Sequence, residues 1–443
     1  MIKKIFSVIL IILLIIVPIN ASAYEVTGFD ITANAGMLVS MDTGEVLYAK
    51  NENKKVYPAS ITKIMTVILY LEDEQYEAEG KIAMTEEVLK MIMGTGSVVS
   101  NLKAGETFRQ IDLAYMTLMS SFGDCAYLGA IFYEGSVDAF VDKMNAKAKE
   151  LGLSGTHYAN PIGLHDEQNY TTVEDVRKLT LYALKNPTFK KICETSRYVM
   201  PATNMSGERR LSTTNFLQDN TTNYYYTYAK GVKTGFTDEA GRCLVSTASY
   251  NGYNYLCILM GCPYNLGVRR EFIESRDLYK WAFNNFEFKE VADSENPVCE
   301  IKVNLSMERD FVALYIEKGF VSVLPNEADA STIVIEPHLI GESVDAPIKK
   351  GQKLGTADII YAEKVLGTVD LVAGEDINPN IVLQIARLLK DFFTSSYMKV
   401  VYIVLAAAII IFIIMVIRLN SGRTKKRKVK YIPMEDEKPK RRR

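Results

Sequence analysis

The chain has 443 residues, of which 48% are hydrophobic and 23% are charged. This length permits two or three domains with a substantial core, and the apolar content excludes a mainly disordered chain. The 51 basic and 53 acidic residues are unevenly spread: two basic residues lie in the first 23 positions, and 13 basic and three acidic residues lie from Lys399 onward. The stretch between them carries a net charge of −14, which argues against DNA or RNA as its partner.

The first 23 residues have the pattern of a secretory signal peptide. Two lysines precede an apolar run at 5–17, and the small residues Ala21 and Ala23 follow, two positions apart. This pattern predicts export, with cleavage after Ala23. An uncleaved membrane anchor is the alternative interpretation of the same segment.

Apolar periodicity and turn signals predict the elements of the following region in chain order. Asp42-Thr43-Gly44 between two apolar runs predicts a hairpin at 35–50. Pro58 followed by Ser60 predicts the start of a helix. The strongly apolar stretch 111–132 is predicted as one buried helix. Further elements are a helix at 173–184, strands within 231–245 and at 253–262, and an amphipathic helix at 269–286.

The composition changes after Phe288. Alternating β-branched residues with Gly and Pro turns predict a small all-β domain at 295–376. An amphipathic helix is predicted at 380–397, and residues 400–417 form an uncharged stretch long enough to cross a bilayer. The basic tail at 418–443 is typical of the cytoplasmic side, so the bulk of the chain is predicted to lie outside the cell membrane. Nucleic-acid binding is the alternative for this tail, against a topogenic and lipid-binding role.

The cysteines and histidines do not indicate a metal site. No CxxC pair occurs, and the three histidines have no metal-ligand spacing to the cysteines. No metal or other cofactor is therefore predicted. Export permits disulfides but a large domain does not need them, so mostly free and buried thiols are expected. The cysteines are Cys125, Cys193, Cys243, Cys257, Cys262 and Cys299.

Ser60 and Lys63 are the candidates for nucleophile and base. Residues three apart on a helix share a face, so the hydroxyl and the amine can meet. A serine needs a base to take its proton, and a lysine can act as that base if burial lowers its pKa. The helix start also directs backbone N–H groups towards a developing oxyanion. Ser-x-x-Lys recurs at Ser100 and Ser396 without the start of an apolar helix, and a solvated helix face is the alternative at each.

Two further elements carry polar groups in apolar surroundings. Lys233-Thr234-Gly235 occurs once, in a predicted strand, and offers a cation, a hydroxyl donor and a close backbone approach for a carboxylate. A polar strand end is the alternative interpretation. Ser121 lies within the predicted buried helix, where a polar group needs a partner. The alternative there is a helix break with the serine bonded to backbone.

In this order the three elements resemble the Ser-x-x-Lys, Ser-x-Asn and Lys-Thr-Gly motifs of the serine D-alanyl-D-alanine carboxypeptidases among the low-molecular-mass penicillin-binding proteins. The likeness extends over residues 35–373 and includes Asn-Pro-x-Gly-Leu at 160–164. It implies an α+β catalytic domain at 24–288, with an antiparallel sheet and helices as in serine β-lactamases. It also implies removal of the terminal D-alanine from peptidoglycan pentapeptide through an acyl-enzyme, with β-lactam antibiotics acylating the same serine.

The resemblance also implies a role for each site residue. Ser60 would be the nucleophile, Lys63 its base, and Ser121 a shuttle that passes a proton to the leaving D-alanine. The strand motif would bind the substrate, with Lys233 and Thr234 on its terminal carboxylate. Gly235 would allow the close approach, and the backbone N–H groups of Ser60 and Phe236 would form the oxyanion hole.

One position departs from the family pattern, since the Asn of the second motif falls on Gly123. Glycine cannot make the hydrogen bonds expected of that amide, so slow turnover is expected, with an open polar space beside Gly123 that an introduced Asn would fill. This departure leaves a wall-binding relative without turnover as one alternative. A β-lactamase-like hydrolase is the other, with Glu167 and Glu174 as the candidates to activate water.

Overall fold

The computed structural model describes residues 30–264 and 267–424. The predicted signal peptide and the part of the basic tail beyond Thr424 lie outside these ranges. The chain forms two compact units. The first comprises the chain up to Asp293 together with 319–336 and 358–368, and the second comprises 294–318, 337–357 and the chain from Val369 onward.

The helices and strands of the described residues are numbered here in chain order. The helices are α1 (Lys63–Leu71), α2 (Glu86–Ile92), α3 (Gln110–Leu118), α4 (Gly123–Glu134), α5 (Val137–Glu150), α6 (Val173–Ala183), α7 (Pro187–Glu194), α8 (Arg270–Asn285), α9 (Ile381–Thr394) and α10 (Ser396–Thr424). The strands are β1 (Ala35–Ser40), β2 (Val46–Lys50), β3 (Lys81–Ala83), β4 (Thr107–Arg109), β5 (Arg197–Met200), β6 (Arg209–Ser212), β7 (Ala229–Thr237), β8 (Gly241–Tyr250), β9 (Tyr253–Cys262), β10 (Phe286–Ala292), β11 (Pro297–Asn304), β12 (Phe311–Ile316), β13 (Phe320–Pro325), β14 (Val334–Leu339), β15 (Ser343–Asp345), β16 (Lys353–Tyr361) and β17 (Lys364–Ala373).

A five-stranded antiparallel sheet of order β2-β1-β9-β8-β7 lies at the centre of the first unit. Successive side chains of a strand point to opposite faces, and here both faces are buried. Ile258 packs in one core with Ile64 of α1, whereas Leu259 packs in another with Phe272 of α8. Residues 243–248 of β8 and 255–262 of β9 are accordingly buried without interruption. The predicted α+β fold with an antiparallel sheet and helices is confirmed.

Helix α1 is buried on all sides. Every residue from Lys63 to Tyr70 is inaccessible to solvent, and a helix that is apolar all round belongs in a core. A short 3₁₀ turn, Ala59–Thr62, precedes it and carries Ser60. The only Lys of this helix is thereby held at the boundary between the core and the turn.

The prediction of one helix over 111–132 is wrong, because the structure has two, α3 and α4, joined by residues 119–122. Ser121 in the connection has a φ of +65°, which no α-helix accommodates. The backbone N–H of Gly123 donates to the carbonyl of Val98 (2.8 Å), and the Asp124 carboxylate accepts from Ser100 N (3.0 Å). Both flanking helices are buried, so apolar residues continue on either side of the break. The break itself is stabilised by hydrogen bonds to another loop.

The second unit contains strands of an all-β sheet of order β14-β16-β17-β12-β11-β15, in agreement with the predicted β domain. Within this unit β11 pairs antiparallel with β12 and parallel with β15. Helix α9 follows with no buried residue. Among the described residues, Ser396–Asn420 is the one helix long and apolar enough to cross a membrane, and it contains the predicted span at 400–417.

Candidate active site

The structure brings the hydroxyl of Ser60 and the amine of Lys63 together. Lys63 Nζ donates to Ser60 Oγ over 3.0 Å and to the carbonyl oxygen of Ile162 over 2.6 Å. Ser60 is half-buried, whereas the Lys63 side chain is only 1% exposed. The 3₁₀ turn followed by α1 provides this geometry, since positions three apart lie on one face.

Burial makes Lys63 suited to act as a base. Desolvation lowers its pKa to about 7, even though the neighbouring Asp124 and Cys125 act in the opposite direction. A lysine with its ordinary pKa of about 10.4 would be almost fully protonated at neutral pH. Near pH 7, by contrast, about half of the Lys63 side chains are neutral and able to accept the proton of Ser60.

Two glycines closely contact the backbone of the turn that carries Ser60. A Cβ at Gly163 would lie 1.9 Å from the carbonyl oxygen of Ala59, and one at Gly235 would lie 3.2 Å from the backbone nitrogen of Ser60. Gly163 has a φ of +80°, and Ala59 itself has a strained φ of +46°. Such strain persists only when the surroundings impose it, and it is frequent at active sites. Close contact with two backbones therefore fixes the position of Ser60.

The loop at 160–164 supplies one of these contacts and is itself rigid. Asn160 Oδ1 accepts hydrogen bonds from the N–H groups of Gly163 (2.7 Å) and Leu164 (3.0 Å). Thr66 of α1 donates to the carbonyl of Pro161 over 2.6 Å. This loop thus presents the Ile162 carbonyl to Lys63 in a fixed orientation.

Strand β7 lies at the edge of the central sheet and carries the Lys-Thr-Gly motif. Lys233 is 1% exposed and lies behind the wall of the cleft, where its Nζ donates to the carbonyl of Thr234 (2.9 Å). Burial, with a smaller contribution from Lys63, holds its pKa well below the ordinary lysine value. Thr234 faces outward, and its Oγ1 donates to Thr214 Oγ1 over 2.6 Å. The hydroxyl and the glycine of the motif thus line the cleft, and its amine lies directly behind them.

Ser121 lies on the opposite side of the same cleft, in the connection between α3 and α4. Its left-handed backbone conformation turns the residue out of the helical path. Within the described part of the chain its hydroxyl makes no hydrogen bond, and the residue is half-buried. This hydroxyl is therefore available to a bound ligand.

A cleft of about 930 Å³ joins these elements. The predicted site residues that line it are Ser60, Ser121, Thr234, Gly235 and Phe236. The two buried lysines, Lys63 and Lys233, lie immediately behind its wall. The structure thus places all the predicted side chains around one cavity, with the hydroxyls in front and the amines behind.

The sequence did not single out Arg269, which also lines the cleft. Its guanidinium carbon lies 4.9 Å from the ring centroid of Phe216 and 4.7 Å from that of Phe272, and its Nε donates to Glu271 over 2.5 Å. These contacts hold a cation at the cavity wall. The signal in the sequence was weak, because an arginine at the start of an amphipathic helix is usually a solvated residue.

The expected open space beside Gly123 is absent. A Cβ at this position would lie 2.2 Å from Ser97 Oγ and 3.0 Å from Ile92 Cδ1. The prediction of a vacated polar space is therefore wrong, because a serine from a distant loop occupies it. Sequence alone could not show this, since Ser97 lies 26 residues before Gly123.

Comparison with protein families gives two matches. A profile described as D-alanyl-D-alanine carboxypeptidase matches residues 20–263, and one described as the C-terminal domain of penicillin-binding protein 5 matches residues 286–379. Together they cover the central sheet, helices α1 to α7 and the β domain. The carboxypeptidase profile alone spans more than half of the chain.

Individual relatives agree with these matches. The chain is 30% identical over 347 residues to the D-alanyl-D-alanine carboxypeptidase DacF of Bacillus subtilis, covering 78% of this chain and 86% of the relative. It is 26% identical to DacA of Haemophilus influenzae, covering 80% and 87%. The solved structure of penicillin-binding protein 5 from Haemophilus influenzae superimposes with a TM-score of 0.64 at 25% identity, covering 80% of this chain and all of that one.

Proposed function

This chain belongs to the D-alanyl-D-alanine carboxypeptidase family, and we propose that it removes the terminal D-alanine of peptidoglycan pentapeptide through an acyl-enzyme on Ser60. It is a serine-type D-alanyl-D-alanine carboxypeptidase with a role in the cell wall. The observation that carries the proposed mechanism is the 3.0 Å hydrogen bond between Ser60 Oγ and Lys63 Nζ. A buried lysine with a pKa near 7 is a competent base for that hydroxyl.

Acylation follows from the positions of these groups. Neutral Lys63 takes the proton of Ser60, and the oxygen attacks the carbonyl carbon of the penultimate D-alanine. The backbone N–H groups of Ser60 and Phe236 stabilise the oxyanion. The C–N bond then breaks, and the amine of the leaving D-alanine receives a proton that Ser121 relays from protonated Lys63. Water hydrolyses the ester and regenerates the Ser60 hydroxyl.

The terminal carboxylate of the substrate is bound by the hydroxyl and guanidinium groups of the cleft. Thr234 and Thr214 present hydroxyls to the cavity, and Arg269 supplies a cation that packs against two aromatic rings. Charge-assisted hydrogen bonds to a carboxylate are about twice as strong as neutral ones. Lys233, buried immediately behind Thr234, is proposed to act with Thr234 on the same carboxylate.

The alternative of a β-lactamase-like hydrolase is not favoured by the position of its candidate acids. Glu174 is on α6 and makes an ion pair with Arg177 over 2.6 Å. Glu167 lines a separate cavity of about 490 Å³. Neither carboxylate lines the cleft that holds Ser60, where an activated water would be required. Penicillin is therefore expected to acylate Ser60 and to leave slowly.

The membrane position completes the proposal. The span at Ser396–Asn420 anchors the chain in the cell membrane, with the site outside and the basic tail in the cytoplasm. Peptidoglycan lies outside the cell membrane, so an extracytoplasmic site can reach it. The two ends of the sequence support this orientation.

The nucleophile is tested by substitution and labelling. Ser60→Ala is expected to abolish both covalent labelling by fluorescent penicillin and D-alanine release from a D-alanyl-D-alanine peptide, because the attacking oxygen is removed. Ser396→Ala is the matched control, since Ser396 also precedes a lysine by three positions but lies at the start of the span. It is expected to retain both activities.

Two outcomes would contradict the proposal. Labelling that persists in the Ser60→Ala protein would show that another residue is the nucleophile. Labelling of the parent without D-alanine release would leave a penicillin-binding protein that has lost turnover, the alternative that Gly123 raised.

A further inference from the structure

The side chain of Ser97 fills the space that a side chain at residue 123 would need. Ser97 Oγ lies 2.2 Å from the point that a Cβ of residue 123 would take, and Ser97 Cβ lies 3.1 Å from it. The first distance is too short for non-bonded atoms and the second is a tight contact, so a side chain at residue 123 would displace the Ser97 hydroxyl from this position. The absence of a side chain at Gly123 thus leaves room for the side chain of Ser97.

The loop that carries Ser97 is fastened on both sides of this residue. Before it, Thr95 Oγ1 donates to the carbonyl of Ile92 (2.8 Å) and accepts from Ser97 N (3.3 Å). After it, the Val98 carbonyl accepts from Gly123 N, and Ser100 Oγ donates to the buried Asp124 carboxylate over 2.5 Å. The start of α4 therefore holds the loop in place, and Ser97 has a fixed position.

The side-chain hydroxyl of Ser97 takes no part in the hydrogen bonds that fasten this loop. It lines the same cleft as Ser60 and Ser121. Among the described residues, no hydrogen bond to its Oγ is found, although its backbone N–H is bonded. A half-buried hydroxyl that faces a cavity and has no protein partner is available to a ligand.

We propose that the hydroxyl of Ser97 replaces the side chain of the missing motif Asn and hydrogen-bonds the peptide group of the substrate. This role rests on the proposed function, because it requires a D-alanyl-D-alanine peptide bound beside Ser60. A hydroxyl offers one donor and two acceptor lone pairs, so it can serve an N–H or a carbonyl of the stem peptide. The hydroxyl of Ser97, from a different loop, thus supplies a polar group at this point of the cleft.

The direct test is Ser97→Ala, which removes the hydroxyl and keeps the Cβ. Loss of one substrate hydrogen bond is expected to lower kcat/KM for D-alanine release roughly ten-fold. The midpoint of thermal unfolding and the amount of Ser60 that penicillin labels should not change, because Ser97 Oγ has no partner in the protein. Ser154→Ala, a substitution of an exposed serine outside the cleft, is the matched control and should stay within about two-fold of the parent.

A swap of the two residues separates a specific role from a general disturbance of the loop. Gly123→Asn alone is expected to lower D-alanine release, because the new Cβ collides with Ser97. The double variant Ser97→Gly, Gly123→Asn has room for the amide and is expected to recover kcat/KM to within about three-fold of the parent. A purely structural role for Ser97 would leave the double variant at least as impaired as either single one.

The outcomes also separate this inference from the proposed function. An active parent whose Ser97→Ala variant keeps full kcat/KM would overturn the role of Ser97 alone. A double variant no better than Gly123→Asn would do the same. A parent that neither releases D-alanine nor takes the penicillin label would overturn the proposed function, and the role of Ser97 with it.

Discussion

At the scale of single residues, the chemistry depends on which amines are buried. Lys63 and Lys233 are each only 1% exposed, and both have pKa values below the ordinary value because burial disfavours their charged forms. Each also repels the charge of the other, which the pKa of Lys233 reflects. A pair of buried amines beside a serine therefore provides a base at neutral pH without a histidine.

The pH dependence of acylation follows from Lys63. Only the neutral amine accepts the Ser60 proton, and the neutral fraction rises as pH rises through the pKa of about 7. The rate of penicillin acylation is therefore expected to increase from pH 5.5 to pH 7, by roughly ten-fold per pH unit well below the pKa, and to level off above it. Stopped-flow or quenched-flow labelling with penicillin, repeated at a series of buffer pH values, measures this rate. A rate that falls with increasing pH over this interval would exclude Lys63 as the base.

The sequence allowed the reacting pair to be predicted because both members lie on one helical turn. Ser60 and Lys63 are three residues apart, and the apolar residues after them indicated a buried helix. Thr214, Arg269 and Ser97 could not be found in this way. Each comes from a different loop, and only the folded chain brings them to the cleft.

At the scale of elements, the loop at 160–164 and the nucleophile turn act together. Gly163→Ala is expected to destabilise the protein by more than 2 kcal/mol, because the new Cβ would add a clash with the Ala59 carbonyl to the strain of a positive φ. D-alanine release should fall by more than ten-fold, since the turn that carries Ser60 must move. Urea unfolding and the peptide assay measure the two effects.

Gly152→Ala is the matched control for that substitution. Gly152 also has a positive φ, of +66°, but a Cβ there would meet no atom within 4 Å. It should cost about 1 kcal/mol of stability from backbone strain and leave the peptide assay unchanged. Equal losses of activity in both variants would show that contact with Ala59 does not position the nucleophile.

The break between α3 and α4 illustrates the limit of periodicity. Residues 111–132 are mostly apolar because two consecutive buried helices follow one another, and periodicity does not distinguish this from one long helix. Polar contacts decide the break: Gly123 N and the Asp124 carboxylate bind the loop of Val98 and Ser100. These long-range hydrogen bonds are not visible in a local pattern.

At the scale of the whole molecule, the cysteines are free thiols. All six cysteines are unpaired, and burial raises the pKa of Cys125, Cys193, Cys243, Cys257 and Cys262. A buried thiol with a raised pKa is a poor nucleophile and is slow to oxidise. The fold is thus compatible with an oxidising environment without disulfides.

The membrane topology can be tested with intact protoplasts. Protease added outside is expected to digest the chain down to the span and the basic tail, because the proposed orientation puts the site on the outer side. A chain truncated before Ser396 should be extractable from membranes by alkaline carbonate, whereas the full chain should not, since only the latter has a spanning helix. An ectodomain that stays protected while the tail is digested would reverse the proposed orientation.

The two glycines around the nucleophile also restrict how this enzyme can escape an inhibitor by mutation. Any side chain at Gly163 meets the Ala59 carbonyl, and any side chain at Gly235 presses on the Ser60 backbone. Single substitutions there would impair the reaction with the natural peptide as much as the reaction with a drug. Selection by β-lactams should therefore leave both glycine positions untouched.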